Sequence, residues 1–340
     1  MEAQEALEIP WLKLHAWLML DSSSAEDEGE PQPIEDFMYH RPVLLREVLE
    51  LLKPKPGLLI VDGTCGGGGH TEALLESGAH VLALDQDPDA VQRVSERLAH
   101  FGRSLIVRQA NFRHAANVLD ELGLPTIGGA LLDLGVSSRQ LENAQRGFSL
   151  VRSGPLDMRM DPRTKLTAAR IVNDYGEEEL TRLFRELGEE PAARRIASLI
   201  VKMRRTAPFR ETLPLARAIE KLVGRHGRHH PATQVFQALR MEVNDELGAL
   251  EEGLRVLNAR LASGGRIAVI TFHSLEDRIV KNFFRDHSQE WLDKPEWPEP
   301  KRNPDYDLEL VTPKPVEPSD EEQRANPRSR SAKLRVAEKI

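Results

Sequence analysis

The amino-acid sequence predicts an α/β fold: a mostly parallel, doubly wound sheet interrupted by an inserted helical domain. Three observations lead there. Short apolar runs ending in aspartate alternate with helix-like segments up to Asp133. The alternation then stops, and the chain is polar and helical from about Asn143 to Pro231. Strand-like runs resume at Arg266–Phe272. Strands joined by helices through short turns form a parallel sheet with right-handed crossovers.

The elements follow in order. Val43–Leu52 carries apolar residues at helical spacing and is stopped by Lys-Pro-Lys-Pro-Gly. Leu58–Val61 is a short apolar run ending at Asp62 and a glycine-rich turn, as a buried strand should. Thr71–Ser77 reads as helix, Val81–Leu84 as a second strand ending at Asp85, and Ala90–Phe101 as helix. Leu105–Val107 and Ala130–Leu132 are the third and fourth strands, the latter ending at Asp133. Turn signals punctuate the insertion at Gly154-Pro155, Asp161-Pro162, Pro191 and Pro208. One long helical stretch is expected over Thr233–Leu261, broken by Gly264-Gly265, before the fifth strand Arg266–Phe272 and a helix over Leu275–Arg285. Trp291–Pro318 is proline-rich loop with a short strand at Leu308–Thr312, and Lys333–Glu338 alternates as a last strand expected at the sheet edge. The implied organisation is a disordered acidic tail over 1–37, a sheet domain over 38–142 and 232–340, and the helical insertion over 143–231.

Charge supports that division. The net charge of -8 is concentrated in residues 1–37, where ten acids face the single base Lys13. The Ser/Glu/Pro-rich run Asp21–Pro33 has the composition of a disordered linker. Met38 opens Met-Tyr-His-Arg-Pro-Val and is the expected natural start, which intact mass of the native protein would test. From Pro191 to His230 there are ten Lys/Arg against Glu211 and Glu220, the footprint of a phosphate-rich partner or, equally, a solvated helix face. The apolar stretch Ile9–Leu20 is too short to span a bilayer and follows an acidic segment, unlike a signal peptide. The single cysteine, Cys65, precludes an intramolecular disulfide and suits a reducing, cytoplasmic setting. No metal-ligand spacing occurs.

The sharpest local feature is Asp62-Gly-Thr-Cys-Gly-Gly-Gly-Gly-His70, between a strand and a helix. Glycines there let backbone approach a ligand, and the helix N-terminus favours an anionic group. Asp85, 19 residues after Gly66, ends the next strand where an acid can bind ribose hydroxyls. These features suit any nucleotide-bearing cofactor. NAD is one option. S-adenosylmethionine is favoured because Asp62 precedes the glycines, where a carboxylate repels a pyrophosphate and welcomes a cationic amino group. Phe112, after the third strand, is placed to lie against an adenine or simply to pack in the core.

Ligands of open α/β sheets bind beyond the carboxyl ends of the strands. Asp62, Asp85 and Asp133 all end strands. The fifth strand continues as Thr271-Phe-His-Ser-Leu-Glu-Asp-Arg278, where Ser274 and Asp277 read as a helix-capping pair and His273 is open to a chemical or a structural role.

With these motifs the chain resembles the RsmH (MraW) family, bacterial methyltransferases acting on cytosine N4 in the decoding region of 16S ribosomal RNA. The matching runs include Tyr39-His-Arg-Pro-Val-Leu-Leu45, the glycine loop, Asp85-Gln-Asp-Pro88, Leu131-Leu-Asp-Leu-Gly-Val-Ser-Ser138, Arg146-Gly-Phe-Ser149, Gly154-Pro-Leu-Asp-Met-Arg-Met-Asp-Pro162, His230-Pro-Ala-Thr233, Thr271–Arg278 and Asn326-Pro-Arg-Ser-Arg330. They run in order over about 39–338. The resemblance implies a class I (Rossmann-like) methyltransferase fold and S-adenosylmethionine contacts at Gly68, Gly69, His70, Asp85, Phe112, Asp133 and Gln140. At Cys65-Gly66-Gly67 relatives often carry an aromatic and an arginine instead.

The implied partner is 16S ribosomal RNA in the small subunit. Asp133 and His273 are the candidate catalytic residues. The Asp/Asn-Pro-Pro-aromatic turn of many amino-methyltransferases is replaced here by Asp133-Leu-Gly-Val, so Asp133 either accepts the amine proton or orients the cofactor. Asp157 and Arg159 either touch the base or fix the entry of the insertion. Arg194, Arg204 and Arg205 are expected on the RNA backbone. A DNA amino-methyltransferase, an enzyme for another RNA, an NAD dehydrogenase and a non-catalytic RNA-binding protein are the rival classes, and the sequence leaves monomer and homodimer both open.

Overall fold

A computed structural model describes residues 42–225 and 230–340. The expected tail 1–37, the start at Met38, Tyr39–Arg41 and part of the basic run (226–229) lie outside the described residues. The chain divides into two compact units. One comprises residues up to Asp85, Asp89–Leu134 and Glu252–Ile340; the other comprises Gln86–Pro88 and Gly135–Glu251.

The first unit is built on a seven-stranded sheet. Helix α1 (Leu45–Leu52) leads into β1 (Leu59–Asp62), then α2 (Gly69–Glu76), β2 (His80–Asp85), α3 (Pro88–Arg97), β3 (Leu105–Gln109), α4 (Ala115–Glu121) and β4 (Ile127–Asp133). The strand order is β3-β2-β1-β4-β5-β9-β8, where β5 is Leu261–Thr271, β8 Leu308–Leu310 and β9 Lys333–Lys339. The first five strands are parallel, and β9 pairs antiparallel with both β5 and β8. Strand order reverses beside β1, so β1 and β4 flank the switch point where such sheets bind ligands. Continuous apolar runs make these strands because both faces of a parallel sheet are covered. Ile60, Val61, Leu82, Leu131 and Val269 are all fully buried, each worth about 1.5–3 kcal/mol against exposure.

Two expectations need correction here. The last strand is not the edge: β8, only three residues long, pairs outside it. The long helix before the fifth strand is two helices, α10 (Thr233–Asn244) and α11 (Glu246–Arg260). They part at Asp245, whose left-handed backbone (φ 47°) ends α10 without a glycine or proline to announce it.

The second unit holds α5 (Ser138–Glu142), α6 (Ala168–Asp174), α7 (Glu177–Glu186), α8 (Ala193–Arg204), α9 (Thr212–Val223) and α10. It runs wider than the 143–231 read from polarity, because Gly135–Leu141 and α10 pack into its core. Apolar residues at helical spacing, such as Leu180/Phe184 on α7 and Ile196/Ile200 on α8, form that core with Leu215 and Leu239. Helix α12 (Ser274–Ser288), a short hairpin of β6 (Trp291–Leu292) and β7 (Lys301–Arg302), and α13 (Asp320–Ala325) complete the chain. Among the described residues no helix is long and apolar enough to cross a membrane.

Candidate active site

The carboxyl ends of β1, β2, β4 and β5 concentrate acids. Asp62 is buried at the end of β1. Its carboxylate accepts from Thr71 Oγ1 at 2.6 Å and from the Thr64 N–H at 3.2 Å. Loss of water raises its pKa to about 6, and those hydrogen bonds keep it from rising further. After β1 the backbone turns through glycines. The Gly66 N–H donates to Asp85 Oδ2 at 2.9 Å, tying the loop to the end of β2. Gly68 is left-handed (φ 82°), and a Cβ there would sit 2.8 Å from Arg97 Nη2. Gly68 also heads α2 and has no side chain to cap it, so the first N–H groups of the helix are left without a side-chain acceptor from the cap. Gly67 is exposed with open space where a side chain would stand.

His70 is buried beneath this loop. Its Nε2 lies 3.0 Å from the Val43 carbonyl, and its Nδ1 lies 3.6 Å from Asp133 Oδ2. Burial lowers its pKa to about 4, so the ring is neutral. Donation to the carbonyl places the proton on Nε2 and leaves an Nδ1 lone pair facing Asp133. Two acceptors facing one another favour a protonated carboxyl. Asp133 agrees: burial, then the Asp62 and Glu276 carboxylates, raise its pKa to about 8. Its side chain remains 26% exposed, and its Oδ1 is itself buried without a hydrogen-bond partner among the described residues.

β5 lies beside β4, with Ile270 paired to Asp133. His273 follows it and caps α12. The expected Ser274–Asp277 cap is replaced by His273–Glu276, one residue earlier. Glu276 Oε2 accepts the Phe272 and His273 N–H groups at 2.8 and 3.3 Å, and His273 Nδ1 accepts the Glu276 N–H at 3.4 Å. Asp277 instead takes both ends of the Arg335 guanidinium, at 2.7 and 3.1 Å. His273 Nε2 is 2.9 Å from Glu276 Oε1 but off the hydrogen-bonding direction, so this buried nitrogen has no hydrogen-bond partner among the described residues. Phe112 is buried and wedged between two glycines. Its ring and Cβ occupy the space that side chains at Gly253 and Gly63 would take.

In the helical unit the expected ligand-facing groups are largely turned inward. Gln140 donates to Asp87 Oδ2 at 2.7 Å and accepts the Ser137 N–H at 3.0 Å, so both ends of its amide are engaged. Asp157 and Arg159 form a two-pronged pair at 2.8 Å on each side, and Arg159 also donates to the Pro162 and Thr164 carbonyls. They brace their loop, around the left-handed Met158 (φ 63°), rather than present free groups. Arg204 donates to the Val172 carbonyl at 2.7 Å. Arg194 and Arg205 are exposed.

The MraW methylase family pattern matches residues 37–340. The chain belongs to that family. Its seven-stranded sheet with a helical insertion is a class I methyltransferase fold. Among curated relatives, ribosomal RNA small subunit methyltransferase H of Heliobacterium modesticaldum is 50% identical over 309 residues, covering 89% of this chain and 99% of the relative. The protein of the same name from Carboxydothermus hydrogenoformans is 50% identical over 304 residues, covering 88% and 98%. Among solved structures, an rRNA methylase from Streptococcus thermophilus aligns at 13% identity and a TM-score of 0.40 over 89% of this chain and 99% of that one. A putative methyltransferase from Streptococcus mutans in complex with SAH aligns at 12% identity and a TM-score of 0.38, covering 87% and 95%.

Two buried acids escaped the reading of this family member's sequence as site residues. Asp87, 3% exposed, holds Arg146 and Gln140, and Arg146 reaches on to the Arg159 and Met160 carbonyls. Glu276 supports His273. Both lie inside quoted motifs, Asp85–Pro88 and Thr271–Arg278. An acid beside a motif's more obvious chemistry was the available signal.

Proposed function

We propose that this protein transfers a methyl group from S-adenosylmethionine to the N4 amine of a specific cytosine in the decoding region of 16S ribosomal RNA, in the small ribosomal subunit and in the cytoplasm. The observation that carries the reading is the acid pair Asp62 and Asp133 at the switch point, both with raised proton affinity, one with an unpartnered buried oxygen. Buried acids with nothing cationic beside them among the described residues suit a cofactor that brings positive charge and an amine that brings protons.

The residues fit that cofactor. The glycine turn with its uncapped helix, Asp62 and Asp85 would hold its amino-acid and ribose parts. Phe112 supports the loop from below by filling the space beside Gly63. When bound, the cofactor supplies a methyl group on a sulfonium, ready for in-line displacement.

The protein's own task is positioning and charge placement. The cytosine amine is a weak nucleophile because its lone pair is drawn into the ring. With its proton given up in the field of the cofactor's positive charge, Asp133 Oδ1 would accept an N4–H and return electron density to nitrogen; the same oxygen would take the proton as transfer completes. His273 Nε2, buried 2.9 Å from Glu276 Oε1 but without a hydrogen bond among the described residues, serves to hold the base. A base must be splayed from its stack to reach such a site. Exposed Arg194 and Arg205 contact the RNA backbone, while Arg204 serves its own helix bundle.

Tritiated S-adenosylmethionine, incubated with small subunits from a strain lacking the modification, tests this. Label is expected in subunit RNA, and an Asp62→Asn variant should lose cofactor affinity by calorimetry. With DNA and transfer RNA offered in parallel incubations, label in either of these alone would overturn the substrate assignment; absence of cofactor binding by the wild type would overturn the chemistry.

A further inference from the structure

A shallow groove in the helical unit runs between the end of α8 and the start of α9. Its volume is about 510 Å³, and Met203, Pro208, Phe209, Arg210 and Pro214 line it. The floor is apolar: Phe209 is buried and Met203 is 40% exposed, unusual for a methionine beside solvent.

The rim is cationic. Between residues 202 and 217 stand Lys202, Arg204, Arg205, Arg210 and Arg217, with Glu211 as the single acid. Glu211 accepts from Ser153 Oγ at 2.5 Å, and Arg204 is committed to the Val172 carbonyl. Lys202, Arg205, Arg210 and Arg217 form no ion pair among the described residues. Elsewhere in the same unit Arg146, Arg159, Arg163 and Arg240 are each paired with an acid.

Helix dipoles explain only part of this. Lys202 and Arg205 close α8, where positive charge is favourable. Arg210 precedes the N-terminus of α9, where it is unfavourable, and Arg217 lies within α9 one turn beyond Pro214, on the groove's side. Unpaired cations around an apolar floor match an unstacked base with phosphates on either side.

We propose that the Met203–Pro214 groove holds an unpaired nucleobase of the RNA substrate, with Arg205, Arg210 and Arg217 on the flanking phosphates. This rests on RNA being the substrate. It differs from the backbone grip assigned to the wider basic segment because it names a base-holding floor and excludes Arg204.

The probe is a single-stranded RNA of about 12 nucleotides carrying 4-thiouridine, long enough for one such site. Irradiated with the wild-type full chain, it should crosslink to the peptide spanning residues 202–217. Arg205→Ala/Arg210→Ala should weaken binding roughly tenfold, and flatten the slope of log affinity against log salt by about 1.4, two phosphate contacts' worth. Met203→Ser, which removes the apolar floor without adding charge, should weaken binding without changing that slope. Crosslinks mapping elsewhere overturn the groove, as does wild-type affinity and slope in the double variant. The crosslink uses unmodified protein, so misfolding of a variant cannot hide the answer. An acidic peptide that binds the groove when the RNA does not would reassign the surface to a protein partner and also overturn the proposal. Wild-type methyl transfer to subunits, measured in parallel, separates failure of the groove from failure of the substrate assignment.

Discussion

Replacing Asp133 by asparagine should make the protein more stable and less active. Folded Asp133 keeps its proton up to about pH 8, whereas an ordinary aspartate releases it near 3.8. Between those values the native state binds more protons than the unfolded chain, so stability falls as pH rises through the window. Each pH unit is worth about 1.4 kcal/mol, giving a ceiling of about 4 kcal/mol at pH 7. Water at the quarter-exposed side chain screens part of this and leaves roughly 2 kcal/mol. Asparagine does not titrate and escapes the loss. Urea denaturation without cofactor should therefore give equal stabilities near pH 4 and a variant more stable by roughly 2 kcal/mol near pH 7. Methyl transfer should fall by about 10²–10⁴-fold through loss of the proton acceptor. Parallel stability–pH curves for the two proteins, or a variant less stable at neutral pH, would refute the reasoning.

Three further substitutions probe other parts of the account. Glu276→Gln removes a negative charge that, after that of Asp62, raises the pKa of Asp133, a carboxyl that also faces neutral His70. Activity needs the Asp133 carboxylate, so the acid limb of the kcat–pH profile should move to lower pH; an unmoved limb would exclude the coupling. Gly68→Ala, forced into a left-handed backbone and against Arg97 and Val94, should cost roughly 1–2 kcal/mol and weaken cofactor binding in calorimetry; wild-type affinity and melting temperature would contradict that. Arg146→Ala takes the cationic partner from the buried Asp87 carboxylate, which Gln140 still contacts, and should destabilise the helical unit by about 3 kcal/mol, visible as lost protection in hydrogen exchange over residues 135–251.

Much of the sheet was legible because parallel strands buried on both faces are written as unbroken apolar runs, and three of them end in aspartate. The glycine loop was legible for a related reason, since only glycine permits Gly68 its backbone conformation against Arg97. What escaped depends on contacts between distant or nearly adjacent polar residues. His273–Glu276 and Ser274–Asp277 have the same spacing, so the cap's register was set by where β5 ends, not by residue type. Asp157 and Arg159 were equally open to touching the base or fixing the entry of the insertion, and at two residues' separation they close on each other. Arg204 belongs to a basic run, but the end of α6 offers it a carbonyl. Asp245 breaks a helix with no sequence signal, and β8 is too short to announce that it covers β9.

The most direct test is the identity of the methylated nucleoside. Small subunits lacking the modification are methylated with labelled S-adenosylmethionine, the RNA is digested, and the labelled nucleoside is identified by mass spectrometry. The account predicts N4-methylcytidine at one decoding-region position, made by the wild type and not by Asp133→Asn. Label on a ring carbon or on another base would contradict it, because an acid placed to draw a proton from an exocyclic amine has no part in that chemistry.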